Sequence, residues 1–296
     1  MTAFETIAPR MPSKLPRVLP RGATDCHAHV FGPYERFPFS APLSYAAPLT
    51  PLPVYLNMLE RTGMERGVLI QPAPYGRDPS AMLDALRHEP QRLRGVAVAD
   101  ASLSDARLEE LSRAGVRALR FVEMPDPSGR GRYKGAIGTD QLIELAPRMK
   151  ALGLHAQLWA TCEQFPEIIP PLLPLGIDIA IDHMGWLDAG RGASDPGFRT
   201  LVSLLAEGRI WMKLSACRNS KALPDYPDLR PFHDALIEAN PDRLLWGSDW
   251  PFVRMGALTP DPSHLIDLFH AWVPDEGLRQ KILVDNPAAL FGFPSL

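Results

Sequence analysis

Cysteine is scarce in this 296-residue chain: Cys26, Cys162 and Cys217 are an odd, widely spaced set with no CxxC pair. A disulfide framework and a cysteine-based zinc site are thereby excluded, and buried or half-buried thiols in a reducing compartment are expected. No apolar run reaches the ~20 residues that span a bilayer, so no membrane partner is expected. The formal net charge is only −3, without the basic excess that would hold a nucleic acid. The fingerprint GxGxxG, opening a helix after a first strand to cradle a dinucleotide, is missing. The proline-rich start MTAFETIAPRMPSKLPRVLPRG has no apolar centre of a secretory signal, which points to a cytoplasmic location. Internal repeats and linkers are also lacking. The chain therefore reads as an N-terminal arm, residues 1–22, and one domain, residues 23–296.

What the sequence does contain is a recurrent alternation. Short apolar runs read as strands: ATDCH (23–27), RGVLIQ (66–71), LRGVAV (93–98), VRALRFV (116–122), LHAQLWA (154–160), IDIAID (177–182), RIWMKLSA (209–216) and RLLWGSD (243–249). Between them lie helical patterns, among them PVYLNMLERTG, TDQLIELAPRMKALG, PEIIPPLLPLG and DPGFRTLVSLLAEG, several closing on glycine as a helix C-terminus does. Eight strand–helix units in a single domain of this length match an α/β fold of the TIM type, a (β/α)₈ barrel of about 250 residues. The tail, residues 261–293, predicts two further C-terminal helices packed at the barrel's base.

Barrels of this kind collect their chemistry at the C-terminal ends of the strands. Those ends carry His27 and His29 after the first strand, Gln71 and Tyr75 after the second, Arg120 and Glu123 at the fourth, and Trp159 at the fifth. Asp182, His183 and Trp186 follow the sixth, Lys213 and Arg218 the seventh, and Asp249 the eighth. Three histidines and an aspartate, far apart in sequence, are thus predicted to meet at one mouth. His27, His29, His183 and Asp249 could satisfy a tetrahedral zinc or another divalent metal. Strand alternation turns the Cys26 side chain away from both neighbouring histidines. His155 starts a strand and falls at the opposite end of the barrel. His88, His233, His264 and His270 lie in helical or loop patterns and read as packed or solvated side chains. Arg130, Arg132 and Lys134 form a basic loop, either solvated or a lid over substrate.

The segments CHAHVFGP, RFPFS, LRF, DHMG, WGSDWP and DNPAALFGF, spread over nearly the whole chain, resemble the amidohydrolase superfamily. The similarity is greatest to its lactonase branch, which includes 2-pyrone-4,6-dicarboxylate lactonase and sugar-acid lactone enzymes. The resemblance implies a (β/α)₈ barrel with Asp249 as base and with His27, His29 and His183 around the scissile carbonyl. Metal-dependent relatives place a ligand at the fourth or fifth strand end, where this chain has Arg120 and Trp159, neither able to ligate. No metal is therefore favoured, and Glu123 is the residue that could reverse this. Arg120 matches one of the carboxylate-gripping arginines of the pyrone enzymes, and Arg218 falls near another. Trp186 replaces an arginine, which shifts the expected substrate toward a sugar-acid or aldaric-acid lactone. Tyr75, Trp159, Trp186, Gln71 and Lys213 would contact its ring and hydroxyls.

The expected activity is the opening of a small anionic lactone by base-assisted attack on its carbonyl. If a substrate hydroxyl replaces water, the enzyme is an aldarate lactone isomerase, such as one acting on galactarolactone. A metal-dependent decarboxylase and a non-catalytic binding barrel are the remaining readings.

Overall fold

The computed structural model describes residues 8–294 apart from 41–44, 46, 127, 129, 130 and 134. Eight strands, β1 (Thr24–Ala28), β2 (Arg66–Ile70), β3 (Leu93–Ala97), β4 (Val116–Val122), β5 (His155–Trp159), β6 (Ile179–Ile181), β7 (Trp211–Leu214) and β8 (Leu244–Trp246), pair in sequence order, every pair parallel. Between β8 and β1 the ladder shrinks to a parallel bridge, Ala28 to Trp250. Two backbone bonds reinforce it, Asp249 N–H to His27 O (2.8 Å) and His29 N–H to Trp250 O (2.8 Å). The barrel is a (β/α)₈ fold, as the alternation predicts.

The connecting helices are α1 (Leu52–Thr62), α2 (Ser80–His88), α3 (Asp105–Arg113), α4 (Thr139–Ala151), α5 (Phe165–Ile168), α6 (Pro196–Ala206), α7 (Arg230–Ala239) and α8 (Pro262–Trp272). Local chemistry sets their limits. Asp195 caps α6 by accepting from the Gly197 and Phe198 N–H groups, with Pro196 at the first helical position. Phe198, Leu201 and Leu205, spaced three and four apart, then bury one face of α6 in the apolar core, with Phe198 against Phe232 of α7. Each such side chain contributes about 1.5–3 kcal/mol of transfer free energy. One expected helix contracts: PEIIPPLLPLG yields only the last three residues of α5, 166–168, and a 3₁₀ turn, Leu173–Leu175. Pro170, Pro171 and Pro174 lack the N–H that a continuing helix requires.

Two apolar layers divide the core. Outside the strands, their alternate residues meet the helices. Inside the lower barrel, Val68, Ile70, Val96, Ala118, Ala180, Trp211 and Leu245 pack on Phe291 and Phe293. Cys26 belongs to this inner layer, contrary to simple alternation. The β1–β2 register shifts between Asp25 and Ala28, and this irregularity lets Cys26 and His27 both enter the interior.

The tail past α8 is α9 (Glu276–Gln280), a π turn (Lys281–Asp285) and α10 (Asn286–Phe291), which close the base. Arg94 at the foot of β3 donates to Phe291 O (3.2 Å) and Gly292 O (2.9 Å), with its guanidinium 4.6 Å from the Phe293 ring. His155 packs there against Phe291, at the end opposite the mouth. The described part of the arm runs along α1 and α8. Arg10 O accepts from the Trp250 indole, and Lys14 and Arg17 pair with Asp267. Among the described residues no helix is long and apolar enough to cross a membrane.

Candidate functional site

On β4, β6 and β7, inward positions two residues above the apolar layer are polar, Arg120 above Ala118, Asp182 above Ala180 and Lys213 above Trp211, and on β5 Gln157 stands two residues above His155, which packs on Phe291. Beside them the ends of β1 and β8 bring in His27, His29 and Asp249. All are buried. Asp182 is the hub. It pairs with Arg120 Nη2 (3.2 Å) and Lys213 Nζ (3.3 Å), accepts from Gln157 Nε2 (3.0 Å), and lies 3.3 Å from His27 Nδ1. Lys213 Nζ also donates to Gln157 Oε1 (2.6 Å) and lies 3.3 Å from His27 Nδ1. Its three N–H bonds thus have three acceptors within reach.

Asp249 forms the second centre. Its Oδ1 lies 3.5 Å from both His27 Nε2 and His29 Nε2, and its Oδ2 accepts from Arg218 Nε. Arg218 is anchored by Nη1 to Val253 O (2.8 Å). His29 Nδ1 meets Ile70 O at 2.8 Å, which makes that nitrogen the donor and leaves Nε2 of the neutral ring as an acceptor. His183 stands beside His27, ring centroids 4.6 Å apart, and touches Trp186 and Trp159 edge-on. Several of these groups sit on strained backbone: His183, Met184, Trp186 and Asp249 have φ between 49° and 64°, a region that residues other than glycine seldom adopt.

Burial and charge set the protonation states. Burial disfavours the Asp249 carboxylate, but Arg218 and then His183 outweigh it and hold the group well below the usual range. Asp182 is held low in the same way, its burial overcome by Lys213, His27 and Arg120. Burial pushes His183 down to about 4 against the pull of Asp249 and Asp182, and pushes His27 well below its ordinary value. Lys213 is lowered, again by burial, against Asp182. Setting the imidazoles aside, three cations (Arg120, Lys213, Arg218) face two carboxylates (Asp182, Asp249), so the site carries an excess of one positive charge.

Buried polar atoms normally have partners, and here several do not. Arg120 Nε, Trp159 Nε1, His27 Nε2 and His183 Nδ1 have no hydrogen-bond partner among the described residues. The Arg120 guanidinium lies over the Trp159 ring, 5.1 Å from its centroid.

Other expected residues are committed elsewhere. The Tyr75 hydroxyl accepts from Gly32 N–H (2.7 Å) and its ring stacks on Phe31. The Gln71 amide donates to Gly76 O and accepts from Val98 N–H. Glu123 accepts from the N–H and hydroxyl of Thr139 and pairs with Arg132, away from the histidines. Arg132 also pairs with Asp140, and Arg130 and Lys134 lie outside the described residues. Gln157 and the rim group Tyr45, Tyr133 and Arg254 are additions. Arg254 donates to the Tyr133 hydroxyl (2.9 Å), and Tyr133 stacks on Trp159. The sequence places Gln157 two residues before Trp159 on the same side of β5, but a lone polar residue in a strand does not announce its partners.

Members of the amidohydrolase superfamily often bind a divalent metal. Two donor groups here would fit one: His27, His29 and Asp249, or His27, Asp182 and His183. The bond from His29 Nδ1 to a backbone carbonyl is the support a ligating imidazole requires. The adjoining cations oppose the added charge.

A family model described as amidohydrolase matches residues 24–293. A 4-sulfomuconolactone hydrolase of Rhizobium radiobacter is 38% identical over 93% of this chain and 91% of its own length. A D-galactarolactone isomerase of Agrobacterium fabrum is 28% identical over 92% of this chain and 91% of its own length. A crystal structure from Pseudomonas putida, provisionally named a 2-pyrone-4,6-dicarboxylic acid hydrolase, superposes with a TM-score of 0.80 at 33% identity, covering 94% of this chain and 100% of that one.

Proposed function

The chain belongs to the amidohydrolase family, and from that premise we propose that it hydrolyses a small lactone bearing a carboxylate. The observation that carries this reading is the set of buried polar atoms left without partners, Arg120 Nε, Trp159 Nε1, His27 Nε2 and His183 Nδ1, beside a carboxylate in a site of excess positive charge. An anionic ester supplies acceptors for these groups.

Lactone opening needs a nucleophile, a polarised carbonyl and a proton for the departing alkoxide. Asp249 Oδ1 and His29 Nε2, two acceptors 3.5 Å apart, hold the attacking water by its two hydrogens, and Asp249 takes the proton. Lys213 donates to His27 Nδ1, which fixes the His27 proton on Nε2, facing the site, where it polarises the carbonyl. His183 stands beside His27 to serve the leaving oxygen. The substrate carboxylate takes the vacant donors of Arg120 and Trp159 and competes for Arg218. Drawing Arg218 from Asp249 raises the basicity of that carboxylate when substrate is present. Trp186 and Trp159 offer faces to the ring's C–H surface. Lys213, fully buried and occupied by three acceptors, acts through His27 rather than on the substrate.

A bound divalent cation would be held by His27, His29 and Asp249 and would polarise the carbonyl or an attacking water. Three protein cations at the same place favour a reaction without it, and prolonged dialysis against a chelator is expected to leave the rate unchanged.

Similarity to a galactarolactone isomerase favours one second reading, in which a substrate hydroxyl takes the water's place and the acyl group moves between oxygens. A pH-indicator assay on aldaric-acid and muconate-type lactones separates the two. Hydrolysis creates a new carboxylic acid and releases a proton, whereas isomerisation releases none. Proton release, lowered about 10²–10⁴-fold in Asp249→Asn with KM little altered, supports the hydrolase. A flat trace with changed substrate NMR signals rejects it in favour of the isomerase.

A further inference from the structure

The wall between β8 and β1 is the weakest part of the barrel's ladder, and it lies directly beneath Asp249 and His27. Asp25, two residues before His27 and fully buried, bridges it. Its Oδ1 accepts from the backbone N–H of His27 (3.2 Å) and of Ser248 (2.8 Å), and its Oδ2 accepts from the Ser248 hydroxyl (2.6 Å). The Ser248 oxygen in turn accepts from Trp250 N–H (3.0 Å). One carboxylate therefore grips the residue on each side of the seam that neighbours a reacting group. The close approach is built in, because a Cβ on Gly247 would lie 2.7 Å from the His27 Cβ. Asp249, next to Ser248, holds a left-handed φ of 64°, a conformation that needs support from its neighbours.

We propose that Asp25 is a positioning residue that, through Ser248, sets the distance and orientation of Asp249 relative to His27. Asp25 touches no substrate and none of the reacting atoms. The inference rests on the lactone chemistry proposed above only for its kinetic readout. A misplacement of about 1 Å between base and polarising group costs on the order of 10²-fold in rate.

The test compares Asp25→Ala, Asp25→Asn and Ser248→Ala by steady-state kinetics on whichever lactone the wild type turns over, and by ¹⁵N–¹H spectra of the His27 and His29 rings. Asparagine keeps an acceptor for both N–H groups, whereas alanine keeps none. Expected are a kcat loss of about 10²-fold in Asp25→Ala at near-constant KM, substantial recovery in Asp25→Asn, and shifted ring resonances in the alanine variant alone. Should Asp25→Ala fail to fold, Ser248→Ala, which removes the hydroxyl's bonds to Asp25 and to Trp250 N–H but keeps the Ser248 N–H bond to Asp25, is expected to lower kcat about tenfold at constant KM. A folded Asp25→Ala with unmoved ring resonances and near-wild-type kcat overturns the proposal, as does a Ser248→Ala indistinguishable from wild type. If the wild type opens no lactone, the functional reading fails by itself, while the ring spectra, which need no substrate, still decide the role of Asp25.

Discussion

Lys213 shows how a charged side chain can be fully buried without being a liability. Its ammonium donates to Gln157 Oε1, pairs with the Asp182 carboxylate at 3.3 Å and lies 3.3 Å from His27 Nδ1. Replacement by methionine keeps the volume and leaves Asp182 with Arg120 as counter-ion. The His27 proton is then free to move to Nδ1 and face Asp182. Steady-state kinetics of Lys213→Met are expected to show a kcat loss of roughly 10²–10³-fold with KM changed far less. A KM effect alone would instead mean that Lys213 binds substrate directly. At this scale the sequence announces the titratable residues but not their partners. His27, His29, His183 and Asp249 were legible because each stands at a strand end in a short motif. Asp25 and Gln157 were not, since a lone polar residue inside a strand gains meaning only from the strand placed beside it.

Among elements, the strands were more legible than the segments joining them. A buried parallel strand is a short apolar run whatever follows it, and all eight lie within or at the edges of the expected stretches. Residues 166–176 misled because leucine and isoleucine spacing suggested a helix while three interior prolines forbade it. Irregularity also defeated alternation at β1, where a register shift put Cys26 inside. The base of the barrel was foreseen as two packed helices but not in its fastening. Arg94 spends its guanidinium on carbonyls of α10 and the adjoining Gly292, as well as on its own strand's approach. Arg94→Ala is expected to lower unfolding free energy by about 1–3 kcal/mol, read by denaturant titration, and to leave kcat unchanged. An equal loss of activity and stability would mean that the base communicates with the mouth.

For the whole molecule, the buried imidazoles govern acid stability. Burial holds His183 and His233 at about 4 and His155 at about 3, and it holds His27 well below its ordinary value. Unfolding frees them to take up protons below about pH 6.5, so the unfolded chain binds more protons there and stability falls as pH drops toward 4. Asp25 works the other way, since burial, only partly offset by Ser248, raises its carboxyl to about 6. Its contribution therefore grows on acidification between about 6 and 4. Asp182 and Asp249, both held low, begin to lose their contribution only below the ordinary carboxylate range, about 3.9. With four imidazoles against one carboxyl, the net loss between pH 6.5 and 4.5 is on the order of several kcal/mol. Denaturant midpoints measured at pH 7, 6 and 5 should fall in that order, and a level or rising series would contradict the assignment.

The three thiols lie at three depths of this architecture: Cys26 inside the lower barrel, Cys162 just past β5, and Cys217 against the Ser248 carbonyl. All are buried, and burial pushes Cys162 and Cys217 up to about 12 and Cys26 higher still, so little thiolate exists at neutral pH. The native protein is therefore expected to be silent toward maleimides and iodoacetamides, as a thiol titration before and after denaturation would show. A single cysteine introduced at an exposed rim position would be its one reactive handle, and a fluorophore or spin label could be attached there with the natural thiols left in place.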